Sequence, residues 1–316
     1  MQSRSDLAFL FPGQGSQSIG MLQDLAEAHA VVQKTFIEAS GALDEDLWKV
    51  ACEGPESLMN RTDYTQPLML TAGVAVWRTW CEGGEIMPAY MAGHSLGEFT
   101  ALVCSGALDF ADGVRLVRDR GRYMQEAVPE GEGAIAAILG LDDEQIASVC
   151  EQAAEGEVVE PVNFNSPGQI VIAGHTAAVS RALEQAKAAG AKRAVQLPMS
   201  VPAHCSLMRP AAEKLATRLE QVDLQAARIP VIHNVDVTTS GDSASIKQHL
   251  IDQVRSPVRW SDCITELREK GVATAIECGP GRVLAGLNRR IDRAMTVHAV
   301  HDRDSLAETL TAMEAE

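Results

Sequence analysis

Short apolar runs followed by glycine recur along the chain and indicate an α/β fold. Leu7–Phe11, Pro88–Ala92 and Ala273–Ile276 are three such runs, and each leads through a glycine turn into a helical spacing of apolar residues. A strand, a tight turn and a helix in succession are typical of a mainly parallel sheet with helices packed on it. The pattern therefore predicts an α/β core with a mainly parallel sheet.

The segment from residue 129 to 198 follows a different pattern. Its apolar and polar positions predict a strand, a helix, two strands joined by the turn Asn165–Gly168, a second helix and a last strand. This βαββαβ order is ferredoxin-like. We therefore expect a small ferredoxin-like subdomain over residues 129–198, inserted into a large catalytic subdomain formed by residues 1–128 and 199–316.

Composition and charge narrow the classes of partner. The chain has 316 residues, of which 46% are hydrophobic, which suits an ordered protein of about two folded units. Its 43 acidic and 27 basic residues give a formal net charge of −16, which disfavours nucleic acid and anionic membranes as partners. The apolar run Leu7–Phe11 is too short for a signal peptide or a membrane span. We expect a cytoplasmic monomer that binds neither nucleic acid nor membrane.

Cysteine spacing argues against a structural metal. The seven cysteines are odd in number, and no two of them form a C-x-x-C pair. This spacing disfavours a disulfide framework and a zinc ribbon. Most of the cysteines lie in apolar runs, as expected of reduced and buried thiols. The sequence therefore predicts no metal site.

The pentapeptide Gly93-His94-Ser95-Leu96-Gly97 matches the G-x-S-x-G pattern of a nucleophile elbow. In such a turn, glycine on both sides allows close backbone contact and leaves the serine hydroxyl exposed above the edge of the sheet. An apolar strand precedes the pentapeptide and a helical pattern follows it. The N-terminus of that helix would face the negative charge that develops during attack on a carbonyl. Ser95 is therefore the candidate nucleophile.

A serine hydroxyl needs a base, and the chain offers eight histidines. His94 adjoins Ser95, and neighbouring side chains at such a turn point apart. His233 lies in the apolar stretch 231–235, which predicts a buried strand and favours a core role for this histidine. His204 ends a rigid, proline-bounded loop that returns from the small subdomain. His204 is therefore the candidate base.

Arg120 falls on the apolar face of a predicted helix. At about 100° per residue it lies between Leu116 and Met124, whereas the neighbouring arginines lie together on a polar face. A charge on an inward face is costly unless it has a partner. That partner is either a structural carboxylate of this acidic protein or a substrate carboxylate held by the guanidinium fork. The spacing alone leaves both possibilities open.

Six motifs occur together in an order that is known from one enzyme family. They are Pro12–Gln17, Gly93–Glu98, Arg120, Asn163–Pro167, Val201–His204 and Gln253. In this combination the chain resembles the bacterial malonyl-CoA:acyl carrier protein transacylases of type II fatty-acid synthesis, over essentially its whole length. The resemblance implies an α/β-hydrolase-like core with an inserted ferredoxin-like subdomain.

The resemblance also implies the catalytic roles. Ser95 would form the malonyl ester, and His204 would act first as general base and then as general acid. The main-chain carbonyl of Gln253 would orient the imidazole in place of the usual aspartate. Backbone N–H groups of Gln14 and Leu96 would form the oxyanion hole.

The substrate is implied in the same way. Arg120 would bind the malonyl carboxylate, and Asn163 and Asn165 would contact the substrate. Leu96 follows the nucleophile where methylmalonyl-type relatives usually have glutamine, which favours malonyl-CoA as donor. The acceptor would be the phosphopantetheine thiol of acyl carrier protein, and the reaction would need no metal or redox cofactor.

Acyl carrier proteins are acidic, as is this chain, so docking would need a local basic patch. Candidates are Lys192, Arg193, Arg289 and Arg290. Two other functions stay open. One is a serine esterase or thioesterase, which would share Ser95 but would not need a buried arginine. The other is an acyltransferase that serves a polyketide synthase in trans, which the motifs barely distinguish from the fatty-acid enzyme.

Overall fold

Two β-sheets organise the part of the chain that the computed structural model describes, namely residues 2–83, 86–199 and 201–315. The strands are β1 (Gln2–Phe11), β2 (Ile86–Gly93), β3 (Gly133–Leu139), β4 (Val159–Ser166), β5 (Gln169–His175), β6 (Arg193–Gln196), β7 (Val231–Ile232), β8 (Thr274–Cys278) and β9 (Thr296–Val300). Within these residues a five-stranded parallel sheet has the order β7-β2-β1-β8-β9, and a four-stranded antiparallel sheet has the order β4-β5-β3-β6. The predicted fold class is confirmed.

Helices cover the sheets and connect their strands. They are α1 (Gln23–Ala28), α2 (Ala30–Leu43), α3 (Leu47–Glu53), α4 (Glu56–Met59), α5 (Thr62–Gly83), α6 (Leu96–Cys104), α7 (Phe110–Glu126), α8 (Asp143–Ala154), α9 (Thr176–Ala188), α10 (Arg209–Glu220), α11 (Ser243–Arg255), α12 (Trp260–Glu269), α13 (Val283–Ile291) and α14 (Arg303–Ala315). Among the helices of the described residues, none combines the length and the apolar character needed to cross a membrane.

Strand β1 lies at the centre of the parallel sheet and has apolar side chains on both faces. Phe9 packs on one face against Trp80 of α5, and Leu10 on the other face belongs to the core that contains Trp260 of α12. Both faces are apolar because helices cover both sides of a parallel sheet. Because the strands of this sheet run in the same direction, their carboxyl ends meet at one edge, where the following helices begin.

The antiparallel sheet has two dissimilar faces. Ile138, Ile170 and Ile172 point toward α8 and α9 and form a core of their own. The opposite face carries Ile135 and Val171 and is turned toward the ends of the parallel strands. In chain order the elements are β3-α8-β4-β5-α9-β6, and all of them lie inside residues 129–198, the span predicted to form the small subdomain.

One predicted strand is shorter than expected. The stretch 231–235 is a strand only over Val231–Ile232, because the chain turns at the next residue. The N–H of His233 donates to the carbonyl of Thr238 at 2.9 Å, and the N–H of Val237 donates to the carbonyl of His233 at 3.1 Å. His233 is buried as predicted, but it lies in a tight turn at the end of the strand.

Candidate active site

Ser95 lies at the corner between β2 and α6, in a backbone conformation that few non-glycine residues adopt. Its φ is 52° and its ψ is −107°. A Cβ at Gly93 would lie 1.9 Å from the Gly97 carbonyl oxygen, and a Cβ at Gly97 would lie 2.0 Å from that of Phe11, so both glycines are required. The Ser95 N–H donates to Asn234 Oδ1 at 2.8 Å. This is the geometry of a nucleophile elbow.

His204 is placed to act as a base toward Ser95. Ser95 Oγ lies 2.7 Å from His204 Nε2, and His204 Nδ1 lies 2.7 Å from the main-chain oxygen of Gln253. Because a carbonyl oxygen only accepts hydrogen bonds, Nδ1 carries the ring proton and Nε2 is free to accept the Ser95 proton. Burial, together with the positive charge of Arg120, lowers the pKa of His204 to about 3. The imidazole is therefore neutral at pH 7, as a general base must be.

Arg120 of α7 is buried beside this pair, and no carboxylate among the described residues contacts it. Its Nη1 donates to Gln66 Oε1 at 2.8 Å, and its Nη2 donates to Gln253 Oε1 at 2.9 Å and to Ser95 Oγ at 3.3 Å. Nε has no partner within the described chain. Burial lowers the pKa of Arg120 to about 10, so the side chain stays cationic at pH 7. The guanidinium is held by neutral groups and keeps N–H capacity for a further acceptor.

The predicted site residues surround one cavity of about 200 Å³. Its lining includes Gln14, Ser95, Leu96, Arg120, Asn163, Asn165 and His204. The main-chain N–H groups of Gln14 and Leu96 have no acceptor among the described residues, and Leu96 is the first residue of α6. These two donors are thus available to a developing oxyanion. Gln253 is fully buried behind the cavity and reaches it through its contacts with Ser95, Arg120 and His204.

The two asparagines reach the cavity from β4 of the antiparallel sheet. Asn165 Oδ1 lies 2.8 Å from His94 Nε2, and Asn163 Oδ1 has no partner within the described residues. The hydrogen bond of His94 to Asn165 agrees with the prediction that His94 is not the base for Ser95. Asn163 is thus a buried acceptor at the cavity wall, which favours contact with a donor group of a bound molecule.

Two of the cations predicted for carrier docking lie near the cavity. Arg193 of β6 pairs in register with Leu139, which pairs on its other side with Gln169. Arg290 of α13 donates to the side-chain oxygen of Gln169. Both arginines are exposed, and Gln169 also lines the active-site cavity. Arg193 and Arg290 therefore lie at the outer end of the cavity wall that includes Gln169.

The other two cations have different surroundings. Lys192 adjoins Arg193 on the chain, and its side chain lies over Gly140. Arg289 lines a separate pocket, together with Arg282 and His298. The structure therefore does not bring all four predicted docking residues to the outer end of this cavity wall.

Comparison with known proteins identifies the family. The family model described as the acyl transferase domain matches residues 8–302. The chain belongs to the acyl transferase family. The malonyl CoA-acyl carrier protein transacylase of Escherichia coli K12 is 53% identical over 306 residues, which cover 97% of this chain and 99% of that protein. The transacylase of the same name from Bacillus subtilis is 45% identical over 313 residues, which cover 99% of this chain and 98% of that protein.

Solved structures agree with this assignment. An acyl carrier protein S-malonyltransferase from Vibrio cholerae superposes with a TM-score of 0.94 at 54% identity, covering 96% of this chain and 99% of that chain. A malonyl-transacylase solved in complex with a type II PKS acyl-carrier protein superposes with a TM-score of 0.96 at 51% identity, covering 97% of this chain and 99% of that chain. The family resemblance inferred from the motifs is confirmed.

In this acyltransferase several side chains around the nucleophile had no predicted role. Glu98 is fully buried below the elbow and accepts hydrogen bonds from His233, from the N–H of Asn234 and from the side chain of Gln253. Gln66 of α5 holds Arg120 from the other side. The sequence feature that could have indicated a role for Glu98 is a carboxylate in an otherwise apolar helix, two residues after the helix begins. Its partners lie too far along the chain for any local pattern to reveal them.

Proposed function

We propose that this acyltransferase transfers the malonyl group of malonyl-CoA to the phosphopantetheine thiol of an acyl carrier protein, through a malonyl ester on Ser95. The observation that carries the proposal is the buried Arg120 beside the Ser95–His204 pair, with Nη2 3.3 Å from Ser95 Oγ and no carboxylate partner among the described residues. An acyl group that ends in a carboxylate would supply the missing acceptor. An acetyl group would not.

In the first half-reaction, malonyl-CoA acylates the serine. His204 Nε2 takes the Ser95 proton as Oγ attacks the thioester carbonyl, and the N–H groups of Gln14 and Leu96 bind the oxyanion. In comparable sites one such donor lowers the barrier by about 3–4 kcal/mol. When the tetrahedral intermediate collapses, the carbon–sulfur bond breaks and His204 protonates the departing CoA thiolate. The products are malonyl-Ser95 and free CoA.

In the second half-reaction, the carrier protein removes the malonyl group. The phosphopantetheine thiol gives its proton to His204 and its sulfur attacks the ester carbonyl. The carbon–Oγ bond then breaks, and His204 returns the proton to Ser95. Proton and acyl group are both passed on, so these steps call for no metal and no redox cofactor.

The proposal includes the place of carrier docking. Arg193 and Arg290 are exposed at the outer end of the wall that carries Gln169. Cations in this position would attract an acidic carrier protein at short range, although the chain as a whole has a net charge of −16.

A carrier protein of polyketide synthesis is the second candidate acceptor. It is favoured by the similarity to a malonyl-transacylase solved with a type II PKS acyl-carrier protein. Initial rates with fatty-acid and polyketide carrier proteins, compared as kcat/KM, would rank the two acceptors. We further propose that the chain acts as a cytoplasmic monomer, which sedimentation and cell fractionation would test.

The central experiment is intact-mass analysis after incubation with malonyl-CoA alone. The native protein should gain the mass of one malonyl group and lose it when carrier protein is added. Ser95→Ala should gain nothing. Rapid release of free malonate without carrier protein would instead support the thioesterase alternative and contradict the proposal.

A further inference from the structure

The mechanism above gives no role to Glu98, a buried carboxylate close to the nucleophile. Glu98 lies in the first turn of α6 and is fully buried. Its Oε1 lies 2.8 Å from His233 Nδ1. Its Oε2 accepts the N–H of Asn234 at 3.0 Å and Nε2 of Gln253 at 2.8 Å. A buried charge is costly unless it is paired with an opposite charge as well as hydrogen-bonded, so Glu98 calls for a cationic partner in addition to these three contacts.

The amide of Gln253 connects Glu98 to Arg120. Gln253 Nε2 donates to Glu98 Oε2 and, at 2.9 Å, to the main-chain oxygen of Ser95. Gln253 Oε1 accepts from Arg120 Nη2 at 2.9 Å. A carboxylate and a carbonyl can only accept, and a guanidinium can only donate. The reversed amide would place oxygen against oxygen and N–H against N–H, so these neighbours fix its orientation.

This indirect pairing has a consequence for substrate binding. A carboxylate in direct contact with Arg120 would occupy the guanidinium fork that a malonyl carboxylate needs. With Gln253 between them, Glu98 stays close enough to stabilise the cation while Nε of Arg120 keeps no partner among the described residues. Burial lowers the pKa of Arg120 and the charge of Glu98 opposes that change. Among the residues that the structure describes, Glu98 and His204 are the titratable groups that interact with Arg120, whereas Gln66 and Gln253 are uncharged.

We propose that Glu98 and the side chain of Gln253 are positioning residues for malonyl recognition, which together keep Arg120 cationic and oriented without placing a carboxylate of the protein on its guanidinium. The inference rests on the proposed function and deepens it. It gives Gln253 a second role, through its side chain, in addition to the main-chain contact with His204.

Gln253→Met tests the orientation. Methionine keeps the main-chain carbonyl for His204 but removes the amide that holds Arg120. We expect the ratio of kcat/KM for malonyl-CoA to kcat/KM for acetyl-CoA to fall about tenfold, chiefly through a higher KM for malonyl-CoA. Equal losses for the two donors would show a merely structural role and would overturn the inference.

Glu98→Gln tests the charge while keeping the shape of the side chain. Without the carboxylate, Arg120 should lose its proton at lower pH, so malonyl transfer should decline earlier as pH rises. We expect the alkaline limb of the malonyl-to-acetyl ratio, measured by quenched single-turnover acylation, to move down by about one pH unit. The ratio cancels the titration of His204 and of CoA, because both donors share them.

Glu277→Gln is the matched control. Glu277 is also fully buried, but it accepts from the N–H groups of Leu284 and Ala285 and does not contact Arg120 or Gln253. For Glu277→Gln, the alkaline limb of the malonyl-to-acetyl ratio should coincide with that of the native protein. If the limb of Glu98→Gln also coincides with the native one, the inference is overturned. Native protein that forms no malonyl adduct would refute the proposed function itself, so the two failures are distinct.

Discussion

The two sheets of this molecule face the same cavity but contribute to it in different ways. The parallel sheet supplies residues that follow its strands: Gln14 after β1 and Ser95 after β2 line the cavity, and Asn234 after β7 accepts the Ser95 N–H. The antiparallel sheet supplies residues from within a strand, such as Asn163 and Val171, which project from one face. Strand ends place backbone N–H groups and helix N-termini at the site, whereas a sheet face offers only side chains.

This difference predicts where the chemistry resides. Ser95, the Gln253 side chain and Arg120 are joined by hydrogen bonds of 2.9–3.3 Å on the side of the parallel sheet. On the antiparallel side, Asn165 makes one such contact and Asn163 Oδ1 makes none within the described residues. Changes on the first side should therefore abolish or redirect the reaction, and changes on the second side should adjust binding.

The largest effect is expected from His204→Ala. Without the base, acylation of Ser95 should slow by about 10³-fold or more with malonyl-CoA and with acetyl-CoA alike. Single-turnover intact-mass kinetics would measure both rates. A loss confined to one donor would mean that His204 serves recognition instead of proton transfer.

Arg120→Ala should separate the donors. Malonyl transfer should lose about 10²-fold in kcat/KM, since truncating one partner of a buried charged pair costs about 3 kcal/mol. Acetyl transfer should change far less, and Arg120→Lys should also impair malonyl transfer because an ammonium lacks the planar fork. Equal losses for the two donors would assign Arg120 to the structure alone.

Charge reversal at Arg193 and Arg290 should weaken only the binding of the carrier protein. Arg193→Glu with Arg290→Glu should raise the KM for carrier protein about tenfold at low salt, and less at high salt where the charges are screened. The rate of acylation by malonyl-CoA should not change. Arg289→Glu is a matched control, because Arg289 lies on the same helix as Arg290 but lines a different pocket. An unchanged KM in the double variant would place docking elsewhere.

The smallest effect is expected from Asn165→Ala. This substitution removes a neutral hydrogen bond to His94 and a polar contact at the cavity wall. We expect the loss to cost about 1 kcal/mol of binding free energy, which is about a fivefold rise in KM for malonyl-CoA. The turnover number should stay within about twofold of the native value. A loss as large as that of His204→Ala would remove the distinction between the two sheets.

The sequence by itself determined the fold class, the elbow and the inward position of Arg120. Each of these depends on residues close together in the chain: alternating runs and turns, a five-residue glycine pattern and the period of one helix. Local spacing carries that information because backbone geometry links residues within a few positions. The assignment of His204 from the residues alone depended on excluding other histidines, and its place beside Ser95 emerged only with the fold.

Only the tertiary structure decided what holds the buried charge of Arg120. The helical spacing left a structural carboxylate and a substrate carboxylate open, and the family resemblance implied the substrate carboxylate. In the structure an amide contacts the guanidinium, with Glu98 one hydrogen bond further away. Gln253 is 133 residues from Arg120 and 155 from Glu98 along the chain. No local periodicity relates such positions, and the packing of α6, α7 and α11 brings them together. The hydrogen-bonding direction of a single amide then joins Glu98 to Arg120 without direct contact, and Nε of Arg120 has no partner among the described residues.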